Sequence, residues 1–273
     1  GQMADVARRF GYGEPKLRAE QSGKNTSEVN DLALAFNTMA DSLEQSEQRR
    51  QEFIANVSHE LKTPMTTIGG YVDGILDGTI PKDNEKHYLQ IVSSEVRRLS
   101  RLVRSMLDLS RLQAQGIDES RKTRFDLGDV MSDVLITFEQ KINARGLQVS
   151  VDLPEKPVWT KADRDAITQV VYNLLDNAIK FCPVGGNLGL ILEQDGQKAR
   201  LRIRNTGQTI PPEELPLLFD RFHKADKARS ADREGWGLGL YIAKTIIGAH
   251  GGEIWATSEN GVTEFTFTLP AVR

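Results

Sequence analysis

At 273 residues the chain has room for two compact pieces, or for one domain with a long appendage. A hydrophobic content of 39% with 27% charged residues describes a protein with a real core, and a net charge of −3 gives no electrostatic case for nucleic acid. One cysteine, Cys182, excludes an internal disulfide framework and fits a reducing compartment; no stretch reaches the roughly 18 consecutive apolar residues of a membrane span, so the chain as given reads as soluble.

Residues 1–30 are polar and glycine-containing, with a loop expected at "GYGEPKLRAEQSGKNTSE"; Gly1-Gln2, ahead of Met3, is set aside from the fold reading. From Val29 an apolar line at spacings of three and four runs through Leu32, Phe36, Met39 and Leu43. The charged run "EQSEQRRQE" contains no helix breaker, so the helix is expected to continue through it. The line resumes at Ile54, Val57, Leu61, Met65 or Ile68, Val72 and Ile75. After a loop at "DGTIPKDNE", a second helix carries Tyr88, Ile91, Val92, Val96, Leu99, Val103, Met106 and Leu109, with Arg97, Arg98, Arg101 and Arg104 on its other side. Two such helices cannot bury their stripes alone. A dimeric four-helix bundle built from two helical hairpins is one solution, and packing on the rest of the chain is the other.

Beyond "AQGIDESRKT" short strands alternate with helices. "RFDL" reads as a strand, 128–144 as a helix, "LQVSVDL" as a strand, and 163–181 as a helix N-capped by Asp163. Hairpins are expected around Asp195-Gly196 and Asn260-Gly261, with a polar irregular stretch over 206–236 and a helix over 238–250 between them. Strands paired by hairpins, with helices on one face, predict an α/β two-layer sandwich. The fold class is thus multidomain, α followed by α/β.

Three constellations carry chemistry. In "NVSHELKTPM", His59 sits about 160° around the helix from both Val57 and Leu61, away from the apolar stripe, which argues against a core histidine. The zinc-protease pattern H-E-x-x-H fails at Thr63, so a metal ligand is disfavoured. A plain solvated histidine is the bland alternative. Against it stand Glu60, able to accept the ring proton and leave the other nitrogen nucleophilic, Thr63 one turn on along the same face, and Pro64, which frees a backbone carbonyl.

In "QVVYNLLDNAIKF", Ile167, Val171, Leu174, Ala178 and Phe181 make a buried line. Asn173, Asn177 and Lys180 make a second line about 100° away. Asparagine is a poor helix-interior residue, so two of them followed by lysine suggest a cation and phosphates; surface or capping asparagine is the alternative. In "EGWGLGL", the glycines Gly235, Gly237 and Gly239 follow a polar segment and not a strand. A dinucleotide fold therefore fails, and a loop ending at a phosphate-binding helix N-terminus remains.

Taken in order, these pieces resemble the sensor histidine kinases of two-component systems over roughly residues 27–270. "FIANVSHELKTPM" is similar to the phosphoacceptor box, "NLLDNAIKF" to the asparagine box, "FDRF" to the phenylalanine box with Phe219 and Phe222, and "GWGLGL" to the second glycine box. "SEVNDLALAFNTMADSL" is similar to the second helix of a HAMP module, with Asn30 where glycine is usual and a first helix that reads as truncated. The resemblance implies a partial HAMP and signalling helix over 1–45, a dimerisation and phosphotransfer domain over 46–115, and a catalytic ATP-binding domain over 120–273. It implies that ATP phosphorylates His59, that Glu60 is the general base, that Asn177 ligates Mg²⁺ with support from Asn173 and Lys180, and that Thr63 positions water in dephosphorylation. The implied partners are a second copy of the chain and a response-regulator receiver domain, within the cytoplasmic region of a sensor anchored in the membrane upstream of residue 1.

His87, His223 and His250 match no reactive position of the family and are expected to be structural or solvated. The box "NTGQTI", which holds Gly207, departs from the family's D-x-G-x-G-I. Asn205 stands in place of the adenine-binding aspartate and Thr209 in place of the second glycine. An asparagine could in principle match both the donor and the acceptor on the adenine edge. The departure admits a second reading, a nucleotide-weak scaffold acting as phosphatase or binding partner. A chaperone or DNA-repair ATPase of the same nucleotide fold has no use for an exposed His59.

Overall fold

The computed structural model describes residues 2–12, 14, 16–20, 26–115, 118–224 and 235–272. Parts of the expected N-terminal loop, of the junction at 114–123 and of the polar stretch at 206–236 lie outside these residues. The chain divides into two compact units, Gly1–Pro81 and Lys82–Arg273.

The first unit opens with a helix in a segment to which the sequence reading assigns no element, α1 (Gln2–Gly11), whose last residue is the first of the expected loop. Val6 and Phe10 of α1 pack on a small core of Ala19, Ala33, Phe36 and Ala40, with the Phe10 and Phe36 rings edge to face at 5.4 Å. Asn37 receives the amide of Ala19 on its oxygen at 2.7 Å and donates its NH₂ to the Ala19 carbonyl at 2.9 Å. One side chain thereby satisfies both backbone polar groups of a residue outside any helix or strand. The long helix α2 (Ser27–Leu76) runs through the charged segment, as the absence of a breaker there implies, and continues through Pro64.

The second unit begins with α3 (Lys82–Gln115). Strand β1 (Lys122–Asp126) pairs antiparallel with β3 (Trp159–Asp163), a strand absent from the sequence reading. The helix expected over 128–144 is two, α4 (Leu127–Thr137) and α5 (Glu139–Ala144), parted at the buried Phe138. The main sheet has the order β2 (Gln148–Asp152), β4 (Asn187–Asp195), β5 (Lys198–Thr206), β7 (Val262–Pro270), β6 (Ile254–Glu259). β2 joins it in parallel with β4, and every other neighbour is antiparallel.

Strand alternation decides what the sheet buries. Leu188, Leu190, Leu192, Leu201, Ile203, Phe265, Phe267 and Leu269 are buried, and the helices α4, α6 (Arg164–Phe181) and α7 (Gly239–Ala249) supply the matching apolar faces. The alternate positions carry ion pairs: Arg200 and Arg202 with Glu193, and Arg204 with Glu264. This is the two-layer α/β sandwich that the sequence predicts.

Asp163 caps α6 as expected, its carboxylate accepting the amides of Asp165 and Ala166 at 3.1 and 3.2 Å. Two assignments of faces change. Phe181, placed on the buried line of α6, is 36% exposed, because the buried face ends at Ala178 and Ile179. Arg98, placed on the solvated side of α3, has a side chain only 17% exposed. Its guanidinium lies 4.1 Å over the ring of buried Trp236, a cation–π contact that offsets part of its desolvation.

Candidate active site

The phosphoacceptor candidate comes first. α2 carries His59 with its side chain 79% exposed, and Nδ1 lies 3.9 Å from Glu60 Oε1. That separation is too long for a hydrogen bond but leaves the half-buried carboxylate within one small rotation of the ring. Thr63 is exposed on the same side and donates its hydroxyl to the His59 carbonyl at 3.3 Å, a long contact that costs little to release. Pro64 is buried in mid-helix and offers no N–H to the carbonyl of Glu60, four residues back. The core-histidine reading is thus excluded by exposure. Among the described residues no cluster of three His, Cys, Asp or Glu side chains is placed to hold a metal ion.

The nucleotide candidates gather around α6, the end of β5 and the start of α7. Asn173, half-buried on α6, donates its amide to the Gly239 carbonyl at 3.1 Å, which ties α6 to the first turn of α7. Asn177, one turn on, is half-buried, and its side chain bonds to no other described residue. Its carbonyl is therefore a ready oxygen ligand for a hard cation, and the residues fit Mg²⁺. Lys180 is half-buried at the end of this line, its ammonium 5.7 Å from the Phe181 ring centre. The N-terminus of α7 lies beside Asn173 and is the helix end at which anions are favoured.

The phenylalanine and glycine boxes are joined directly. Phe222 donates its amide to the Gly237 carbonyl at 3.0 Å, with Phe222 itself at φ 60°. Gly237 has φ +67°, and a Cβ there would meet the His223 carbonyl and the Phe222 backbone at 2.7 Å, so no side chain fits. Phe219 is buried, its ring edge to face with Phe265 at 6.5 Å. Gly235 is half-buried at the start of the glycine box. Sequence reasoning missed Arg221, which donates to the Tyr241 hydroxyl at 2.6 Å and stacks on its ring. Its position between two phenylalanines was the available signal.

The departing box is clamped in place. Gly207 donates to the Gly261 carbonyl at 2.8 Å, and a Cβ on it would meet the Phe181 carbonyl at 2.9 Å. Thr209 accepts the Gly261 amide at 2.9 Å, and Ile210 donates to Ser258 Oγ at 2.9 Å. The threonine in place of glycine thus grips the β6–β7 hairpin. Asn205 is 3% exposed, and by alternation it shares the helix-covered face with Leu201 and Ile203.

An exposed histidine on a long helix, followed by an α/β sandwich with an asparagine helix and a glycine box, defines the class of phosphoacceptor helix plus histidine-kinase-type ATPase. Family models agree: residues 49–115 match the His Kinase A (phospho-acceptor) domain, and 162–273 match the histidine kinase-, DNA gyrase B- and HSP90-like ATPase. The chain is 38% identical over 226 residues to Sensor protein SrrB of Staphylococcus aureus, covering 82% of this chain. It spans only 38% of the length of that curated relative. Among solved structures it resembles the Acinetobacter baumannii histidine kinase AdeS (30% identity, TM-score 0.65, 79% of this chain and 98% of that one). It also resembles the histidine kinase ThkA in complex with the response regulator protein TrrA (28% identity, TM-score 0.68, 85% and 66%). The chain belongs to the sensor histidine kinases of two-component systems. The nucleotide-weak scaffold is not favoured, since the ATPase match runs through Asn205 and Thr209.

Proposed function

We propose that this protein is an ATP- and Mg²⁺-dependent protein histidine kinase. A ring nitrogen of His59 attacks the γ-phosphorus of ATP, the N–P bond forms as the bond to the β-phosphate oxygen breaks, and ADP leaves. Glu60 takes the ring proton, and the phosphoryl group then passes to an aspartate of a response-regulator receiver domain. Mg²⁺ bound at Asn177 would neutralise phosphate charge there, while Asn173, Lys180 and the N-terminus of α7 orient the triphosphate. The adenine end belongs to Asn205 and Gly207, with Phe219, Phe222, Gly235, Gly237 and Gly239 enclosing the site. Thr63 positions water for dephosphorylation of the regulator. The observation that carries this reading is the exposed imidazole of His59 with a carboxylate beside it, in a chain that also holds the ATPase-type sandwich.

The working division is a HAMP-like signalling segment over 1–45, a dimerising phosphotransfer domain over 46–115 and a catalytic domain over 120–273. A homodimer is supported by apolar side chains left exposed along both long helices, among them Ile54, Met65 and Val72 on α2 and Val96, Val103 and Leu107 on α3. We place the chain in the cytoplasmic region of a larger membrane sensor, supported by the greater length of its curated relatives. Among the described residues no helix is long and apolar enough to cross a membrane.

The test is incubation of the protein with γ-labelled ATP and Mg²⁺. Acid-labile, alkali-stable label is expected on the native chain and none on His59→Gln, which should still bind ADP. Label persisting on His59→Gln would sink the central claim.

A further inference from the structure

The loop that follows β5 carries a threonine, Thr209, where the family pattern has its second glycine. Glycine has no side chain, so any side-chain bond at this position is one that the usual residue cannot make. The bond made here follows from where the strand ladder ends.

β5 and β7 pair antiparallel as far as Thr206 and Val262. One step beyond, the Gly207 amide donates to the Gly261 carbonyl at 2.8 Å. In a regular ladder such a pair exchanges two bonds, and the Gly261 amide would return to the Gly207 carbonyl. It goes instead to Thr209 Oγ1 at 2.9 Å. The hydroxyl adds a rung after the backbone has left the ladder, and residues 207 and 209 together hold both polar groups of Gly261. Asn260 at φ 51° and Gly261 at φ +75° form the left-handed turn that presents those groups.

The turn is itself anchored. Ser258 and Thr263, paired across β6 and β7 and both buried, share a hydrogen bond at 2.9 Å, and Ser258 Oγ accepts the Ile210 amide at 2.9 Å. At the head of the loop, Asn205 donates its side-chain amide to the Thr206 carbonyl at 3.1 Å. The loop thus hangs on the β6–β7 turn at 207, 209 and 210. The bonds at 207 and 210 use backbone amides that a glycine at 209 would leave intact. The bond at 209 is the one that this sequence adds. Thr209 is exposed, so its bond competes with water and has the strength of one ordinary hydrogen bond.

We infer that Thr209 is a positioning residue: by taking the Gly261 amide, its hydroxyl holds this loop in its nucleotide-binding shape before nucleotide arrives. The inference rests on the nucleotide reading of the preceding subsection and deepens it. A loop that its ligand must first order binds more weakly, in proportion to the time it spends out of shape. The loop serves the adenine end and not the transferring phosphate, so the bond acts on affinity and leaves the phosphoryl step alone.

The experiment measures the Kd of ADP with Mg²⁺ by calorimetry, and KM for ATP and kcat of autophosphorylation, in the native chain and three variants. Thr209→Val keeps the branched shape and removes the hydroxyl, Thr209→Ser keeps the hydroxyl, and Thr209→Gly restores the usual residue. Thr209→Val is expected to raise Kd and KM about fivefold, the scale of one hydrogen bond, with kcat within about twofold of native. Thr209→Ser should stay within about twofold throughout, and Thr209→Gly should weaken binding at least as much as Thr209→Val. Without nucleotide, the Gly261 amide should exchange its hydrogen faster in Thr209→Val than in the native chain, and at a near-native rate in Thr209→Ser. A Thr209→Val protein that binds ADP as tightly as the native chain would overturn the inference and leave the nucleotide reading standing. A kcat that falls along with the affinity, or a serine variant that behaves like the valine one, would overturn it too, since either makes Thr209 structural only. No ADP binding by the native chain would overturn both. The comparison of valine with serine decides the matter even if Thr209→Gly fails to fold.

Discussion

Asn177 and Thr63 are the residues whose chemistry is most separable from the fold. Asn177 is half-buried and off the apolar line of α6, so its loss empties no core volume. Asn177→Ala is expected to remove Mg²⁺-dependent nucleotide binding while unfolding stays within about 0.5 kcal/mol of native, the usual range for surface changes. Titration of ADP with and without Mg²⁺, alongside a urea melt, checks both halves; normal metal-dependent binding would mean that this face of α6 is read wrongly. Thr63→Ala should keep most autophosphorylation and lose dephosphorylation of the regulator. Thr63 shares the exposed side with His59, and among the described residues its hydroxyl is held only by the long bond to the His59 carbonyl. Equal loss of both activities would instead make Thr63 a structural residue.

At the scale of elements, His250 joins the end of α7 to the start of α6. Its Nε2 accepts the Asp163 amide at 3.0 Å, so Nε2 carries no proton, and Nδ1 donates to the Ile246 carbonyl at 2.9 Å. Burial holds this imidazole below its ordinary value, outweighing the Ile246 carbonyl that favours the proton. The folded state therefore resists a proton that the unfolded chain takes up near pH ~6.5. Stability from this group is fully present above that pH and is lost as pH falls through it toward the lower folded value. Urea unfolding at pH 7.5, 6.5 and 5.5 should show the native chain losing more stability than His250→Leu across the window. Parallel losses would remove His250 from the account. Asp163→Ala takes the other side of the same joint and is expected to cost about 1–2 kcal/mol by removing the α6 cap, measured as a lower Tm.

These joints also mark what was readable beforehand. The cap at Asp163, the hairpins at 195–196 and 260–261, and the outward face of His59 are written in local spacing. Strand β3 is not, because "TKAD" looks like the approach to a helix until β1 pairs with it from a distance. α1 carried apolar residues at helical spacing but was short and next to glycines. Arg98 looked solvated because nothing in α3 announces Trp236, well over a hundred residues away. At the site the residue identities were legible, whereas the orientation of the Asn205 amide depends on which backbone carbonyl it meets.

For the whole molecule, the exposed apolar side chains of α2 and α3 predict a dimer in solution. Ile54→Glu with Val103→Glu should shift sedimentation from dimer to monomer at micromolar concentration, since a charge buried in such an interface without a partner is strongly unfavourable. A double variant that sediments unchanged would place the dimer contact elsewhere.

The stacking of Arg98 on Trp236 gives the protein a built-in optical gauge. The indole is buried and its N–H has no acceptor among the described residues, while Arg98 Nε beside it is equally unmatched. Two buried donors without partners cost about 1–3 kcal/mol each, so this contact between α3 and the glycine box is held with little to spare. In a chain whose Trp159 and Trp255 are replaced by Phe, all indole emission comes from this one ring. It should peak at short wavelength, as a buried indole does, and change intensity in Arg98→Ala, where the cation no longer lies on its face. Emission indifferent to Arg98 would mean that the two do not meet in solution; a response would turn the ring into a direct readout of whether α3 stays on the sandwich as nucleotide or regulator is added.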